Sequence, residues 1–145
     1  MSQFGRPSAD TNNAGSYVNQ AASGTTIYQS IDEDTIDDDD YIRSPNSPVA
    51  AAYTTKLTTL IDPGIDTAHI LRYRAKKDLL NPADVVMEVQ LRQGYVSEVS
   101  LGTLIATRTE TLTTGLITYE YELTTLEAAL ITNYNSLYVR FITNP

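Results

Sequence analysis

The sequence predicts an all-β domain: an antiparallel β-sandwich of jelly-roll type, with one short helix and an extended N-terminal arm. Three observations point there. Apolar and polar residues alternate with period two in run after run from Thr25 onward. The same region is dominated by Thr, Val, Ile, Leu and Tyr, which suit a half-buried pleated surface. Pro- and Gly-containing turn signals separate the runs. Strands with one wet face imply antiparallel pairing.

Residues 1–24, rich in Ser, Asn, Ala and Gly, offer only Phe4, Tyr17 and Val18 as sizeable apolar groups after Met1. Such a segment buries too little surface to offset its own ordering entropy, so two readings stand: a floppy terminus, or an arm that orders on a partner. The sandwich is expected over residues 25–145. In "ILRYRAKK" Leu71, Tyr73 and Ala75 oppose Arg72, Arg74 and Lys76. In "VVMEVQLR" Val85, Met87, Val89 and Leu91 oppose Glu88, Gln90 and Arg92. "LITYEYEL" sets Ile117, Tyr119, Tyr121 and Leu123 against Thr118, Glu120 and Glu122, and "LYVRF" sets Leu137, Val139 and Phe141 against Tyr138 and Arg140. "AYTTKL" and "VSLGTLIAT" read as weaker strands, Gly102 marking a bulge. Corners are expected at "DPG" (62–64), "NPAD" (81–84), "QG" (93–94) and "TTG" (113–115). The exception to the strand pattern is "LTTLEAALITNY", where Thr124 and Glu127 fit a capping box ahead of about two turns of helix.

At 145 residues the chain is long enough for one core and too short for two full domains. It has no cysteine, which excludes disulfides and thiolate chemistry. No apolar run has the length of a membrane span and the start lacks a signal-peptide pattern, so a soluble chain made in the cytoplasm, without membrane contact, is expected. A net charge of −8 argues against a nucleic-acid partner. Most of the acidity sits early: residues 1–47 hold eight acids against Arg6 and Arg43.

Much of it lies in "IDEDTIDDDDYI", residues 31–42. An EF-hand loop needs a Gly and a terminal bidentate Glu, and this stretch has neither. Adjacent acids on one loop do not make the separated pair that glycosidases use. A solvated connection between strands is the leading reading, with Tyr41 and Ile42 starting the next buried segment; a looser calcium site on Asp37 to Asp40 stays open beside it. His69 is the sole histidine and reads as structural. No glycine pattern cradles a phosphate, and Arg72, Arg74, Lys76 and Lys77 read as cross-strand partners for Glu88 and other acids. No catalytic residue, metal or cofactor is expected.

With these residues laid out, the order of motifs resembles small virion proteins of tailed phages, minor structural or head decoration (cement) proteins. The resemblance is carried by "RPSADT", "IYQSIDEDTIDDDDYIRSP" (27–45), "LIDPGIDTAHILRYRAKKD" (60–78), "VVMEVQLRQG" (85–94) and "LTTLEAALITNYNSLYVRFITN" (123–144), nearly the whole chain. Members of that group often carry a Trp near the end of the opening segment, where this chain has "GSYV"; if Tyr17 takes that place, the segment is partly docked as an edge strand. The resemblance implies a non-enzymatic component of the capsid exterior that binds the major capsid protein in the assembled head and reinforces it, as a single copy or a homo-oligomer. Phe4, Arg6, Tyr17 and Val18 are the expected capsid or neighbour contacts. The competing reading is a glycan- or receptor-binding module of a tail or fibre, whose aromatic platform would have to come from residues such as Tyr28, Tyr95 or Tyr138.

Overall fold

A computed structural model describes residues 3–80 and 83–145. Among these the strands are β1 (Pro7–Asn12), β2 (Val18–Asn19), β3 (Ile42–Arg43), β4 (Ala51–Leu57), β5 (Ile70–Ala75), β6 (Val86–Gln93), β7 (Thr103–Thr111), β8 (Ile117–Glu122) and β9 (Leu137–Asn144). All pairings are antiparallel. A five-stranded sheet runs β1-β4-β9-β6-β7, and two small sheets, β5-β8 and β2-β3, lie apart from it. The all-β antiparallel expectation therefore holds, with one short helix. The jelly-roll arrangement gets no support, since sheets of five, two and two strands differ from its paired sheets of similar size.

The alternation read from the sequence places the core. Val85, Met87, Val89 and Leu91 on β6 and its approach, Leu137 and Val139 on β9, and Leu57 on β4 are buried together with Leu71 and Tyr73 of β5. The β5-β8 pair thus forms the second layer over one part of the large sheet. A second cluster, Tyr17, Ile27, Ala51 and Tyr53, covers the rest of the same face with Ile31 and Ile42 packed against it, and Phe141 touches both clusters. "AYTTKL", the weakest alternation in the sequence, is a central strand: Tyr53, Thr54 and Thr55 are fully buried. Its small residues Ala51 and Ala52 leave room for the backbone of Gly15, whose N–H donates to the Ala52 carbonyl at 2.7 Å.

Three local expectations need correcting. The helix is one turn, α1 (Thr125–Ala128), followed by a separate 3-10 turn at Tyr134–Ser136. The capping box of Thr124 and Glu127 is present, but apolar spacing fails after Ala129 and Ile131 drops into the sandwich core instead. The register shift between β6 and β7 falls at Leu91/Arg92, opposite Ile105, rather than at Gly102. Gly102 precedes the strand with φ of +69°, and a Cβ there would lie 2.2 Å from the Gln93 carbonyl oxygen. Finally, Tyr41 is exposed while Ile42 alone turns inward. The "DPG" corner forms as an Asx turn, Gly64 N–H donating to Asp62 Oδ1 at 2.7 Å. Asn81 and Pro82 of "NPAD" lie outside the described residues.

Candidate interaction surface

The opening segment is part of the sheet. β1 lies along β4 as an edge strand; just beyond it the Thr58 N–H donates to the Arg6 carbonyl and the Arg6 N–H to Thr58 Oγ1. Asp10 fixes it: its carboxylate accepts from the Ile27 and Tyr28 N–H groups, 2.8 Å each, and from Tyr53 Oη. These bonds satisfy the first N–H groups of the 3-10 turn Ile27–Ser30, which would otherwise have no partner. Asp10 was legible in the sequence only as one more acid in a polar segment.

The four expected contact residues are not brought to one surface. Tyr17 is buried, its hydroxyl donating to Thr143 Oγ1 at 3.1 Å, and burial pushes that hydroxyl's pKa up to about 12. It packs on Tyr53 with ring centroids 5.8 Å apart. Val18 is half-buried in β2 opposite Arg43. Arg6 pairs with Asp34 at 2.9 Å and donates to the Glu33 carbonyl, tying the acidic loop to the edge strand. Phe4 alone stands well exposed.

The acidic stretch meets basic groups of its own chain: Asp34 faces Arg6, and Asp38 faces Arg74 at 2.5 Å. The expected cross-strand pairing of the basic set holds for Arg72 and fails for Glu88. Arg72 bonds Glu120, its register partner across β5-β8, at 2.7 Å, whereas Glu88 belongs to the other sheet and accepts from Gln90 and Thr107. Among the described residues no three His, Asp or Glu side chains converge as a metal site. His69 bonds Tyr134 Oη through Nε2 at 2.7 Å, joining the entry to β5 to the 3-10 turn before β9.

The outer face of the large sheet differs most from expectation. Gln90, Arg92 and Arg140, read as wet, are all buried. Register explains why: Thr54, Arg140, Gln90 and Thr107 stand side by side across β4, β9, β6 and β7. Over them folds the hairpin loop 94–102, of which the sequence marked a corner at 93–94 and read 99–102 as the start of the strand "VSLGTLIAT". From it Glu98 grips Arg140 with two bonds, 2.5 and 2.6 Å, and accepts from Tyr95 Oη at 2.7 Å. The hydrogen bond from Arg140 holds the Glu98 carboxyl below its usual range. Arg92 donates to Gln90 Oε1 at 2.6 Å and to the Leu101 and Gly102 carbonyls; burial, then the charge of Arg140, lowers its pKa.

This anchorage leaves the loop's tip facing outward. Val96 and Val99 are 75% and 98% exposed, on a turn closed by the mutual backbone bonds of Ser97 and Ser100. Tyr95, a candidate for a glycan platform, is buried against Tyr138 instead, with ring centroids 5.7 Å apart, and Tyr28 is half-buried. Compared with family models, curated proteins and solved structures, the chain matches none.

Proposed function

We propose that the chain is a structural protein of a tailed-phage virion, a decoration protein that binds the exterior of the assembled head through the major capsid protein and stabilises it without catalytic chemistry or a cofactor. The observation that carries this reading is the anchored turn with two bare valines. A β-branched side chain on a backbone already fixed by Glu98, Arg140 and Tyr95 loses little freedom when a partner covers it, which is what a protein contact needs. Stabilisation follows by mass action, because a ligand that prefers assembled capsid over dissociated subunits shifts that equilibrium toward the assembled form.

The test is co-sedimentation of the purified chain with expanded heads of the cognate phage, beside a Val96→Ser/Val99→Ser variant. Sedimentation of the wild type with heads, and its loss in the variant, is the expected result. A wild-type chain that stays in the supernatant overturns the reading. Binding that survives in the variant moves the contact away from the turn, and Phe4→Ala then tests the edge-strand end.

A further inference from the structure

We propose that the free edge of β7 pairs with the same edge of a second copy, antiparallel and centred on Thr109, so that two five-stranded sheets join across a two-fold axis. β7 is last in the sheet order and, among the described residues, pairs with β6 alone. Its other side presents backbone N–H and C=O groups on which a further strand can add. Proteins commonly blunt such an edge with Pro, a bulge or charged side chains, Lys above all; the two charges of β7, Arg108 and Glu110, are opposite in sign. β7 contains neither Pro nor Lys, and its register shift lies at the Ile105 end, leaving Ala106 to Thr111 regular. The opposite edge is different: β1 starts with Pro7 and is broken by two register shifts.

The side chains select the partner. Residues 107 to 111 read "TRTET". Laid antiparallel on itself about Thr109, this segment sets Thr against Thr at three positions and Arg108 against Glu110 at the other two. Opposite charges directly across a strand pair stabilise it, and like charges there oppose it. Sliding the centre to Arg108 sets two arginines opposite each other, and sliding it to Glu110 sets two glutamates opposite each other. The charge pattern therefore favours the Thr109 register over its immediate neighbours, and an isologous two-fold contact satisfies both copies at once. Arg108 already leans on Glu127 at 3.5 Å and on the Tyr121 ring and donates to the Thr107 carbonyl at 2.5 Å, a bond it would exchange for the partner strand, and Glu110 accepts from Tyr73 Oη at 3.0 Å. A guanidinium with five donors and a carboxylate with a second oxygen each have capacity for another bond.

Sedimentation equilibrium on the full chain tests this without any capsid, so its outcome is separable from head binding. The expected result is a mass of twice 16.0 kDa at micromolar concentration, falling to one chain in Thr109→Lys, which places two ammonium groups at the axis. Because the chain has no cysteine, Thr109→Cys supplies a single thiol. Mild oxidation should link it to its symmetry mate at least about tenfold faster than Thr118→Cys, an exposed control on β8. A wild-type chain that remains single, or a dimer indifferent to Thr109→Lys whose Thr109→Cys form links no faster than the control, overturns the proposal.

Discussion

Tyr53 Oη donates a 2.6 Å hydrogen bond to Asp10 Oδ1, joining the fully buried tyrosine of β4 to a carboxylate of the opening segment. Burial, and then the Asp10 bond, push the Tyr53 pKa upward, so the hydroxyl remains the donor throughout the neutral range. Asp10→Ala leaves this hydroxyl and the Ile27 and Tyr28 N–H groups without their acceptor. At a net cost of about 1 kcal/mol or more per orphaned group, the loss should be about 3 kcal/mol. Asp10→Asn, which keeps one oxygen, should lose less. Urea denaturation measures both, and an Asp10→Ala variant as stable as wild type would remove the structural role given to β1.

Removing residues 1–24 deletes β1, Asp10 and Tyr17 together, uncovering the edge of β4 and the Tyr53 ring. The truncated chain should lose cooperative unfolding in a thermal melt followed by circular dichroism. Phe4→Ala, by contrast, removes an exposed ring and should change stability by less than about 0.5 kcal/mol. A truncated chain that melts like the full one would make the segment a dispensable arm.

Glu98 supplies a pH signature. Its folded carboxyl titrates below the usual range because Arg140 bonds the charged form, while the unfolded chain titrates near the ordinary value of about 4.3. The contribution to stability is therefore complete above that value and fades as pH falls through the lower folded one. Glu98→Gln should cost about 2 kcal/mol at pH 7, less than breaking a fully buried pair because the carboxylate is partly open to water. The gap from wild type should shrink below about pH 4. Denaturation curves at pH 7 and pH 3.5 give the comparison; a gap that stays constant would show that the ion pair does not hold the loop.

Two glycines separate backbone conformation from space. Gly64 and Gly102 both have positive φ, but nothing lies within 4 Å of a Cβ at Gly64, while one at Gly102 meets the Gln93 carbonyl oxygen at 2.2 Å. Gly64→Ala should cost about 1 kcal/mol, the left-handed penalty alone. Gly102→Ala must also move the loop neck and should cost at least about 3 kcal/mol. Equal melting shifts in the two variants would contradict the close approach.

Alternation made most of the core legible: the inward residues of β5 and β6, Leu137, Val139 and Phe141 of β9 and the Thr124–Glu127 capping box were assignable from their own neighbours, whereas Ile117 of β8 is exposed and the buried Thr143 of β9 was missed. Arg140 and Arg92 were not. Their strands alternate correctly, but the face opposite the core is dry because loop 94–102 returns over it, and no local pattern encodes where a loop lands. Asp10 escaped for the same reason, since its three donors come from Ile27, Tyr28 and Tyr53. Tyr17 could be suspected as an anchor, but its neighbour Thr143 lies 126 positions away.

Period-two spacing, β-branched side chains and turn residues act between near neighbours, and through them the sequence by itself determined that this chain is antiparallel β, which faces of its strands are apolar, and where most of them turn. Sheet order, the docking of the opening segment, the burial of Arg92 and Arg140, and the exposure of Val96, Val99 and the β7 edge were decided only in the tertiary structure. Each depends on which distant segment covers which surface, a competition among desolvation, hydrogen bonding and packing that is settled when the whole chain closes.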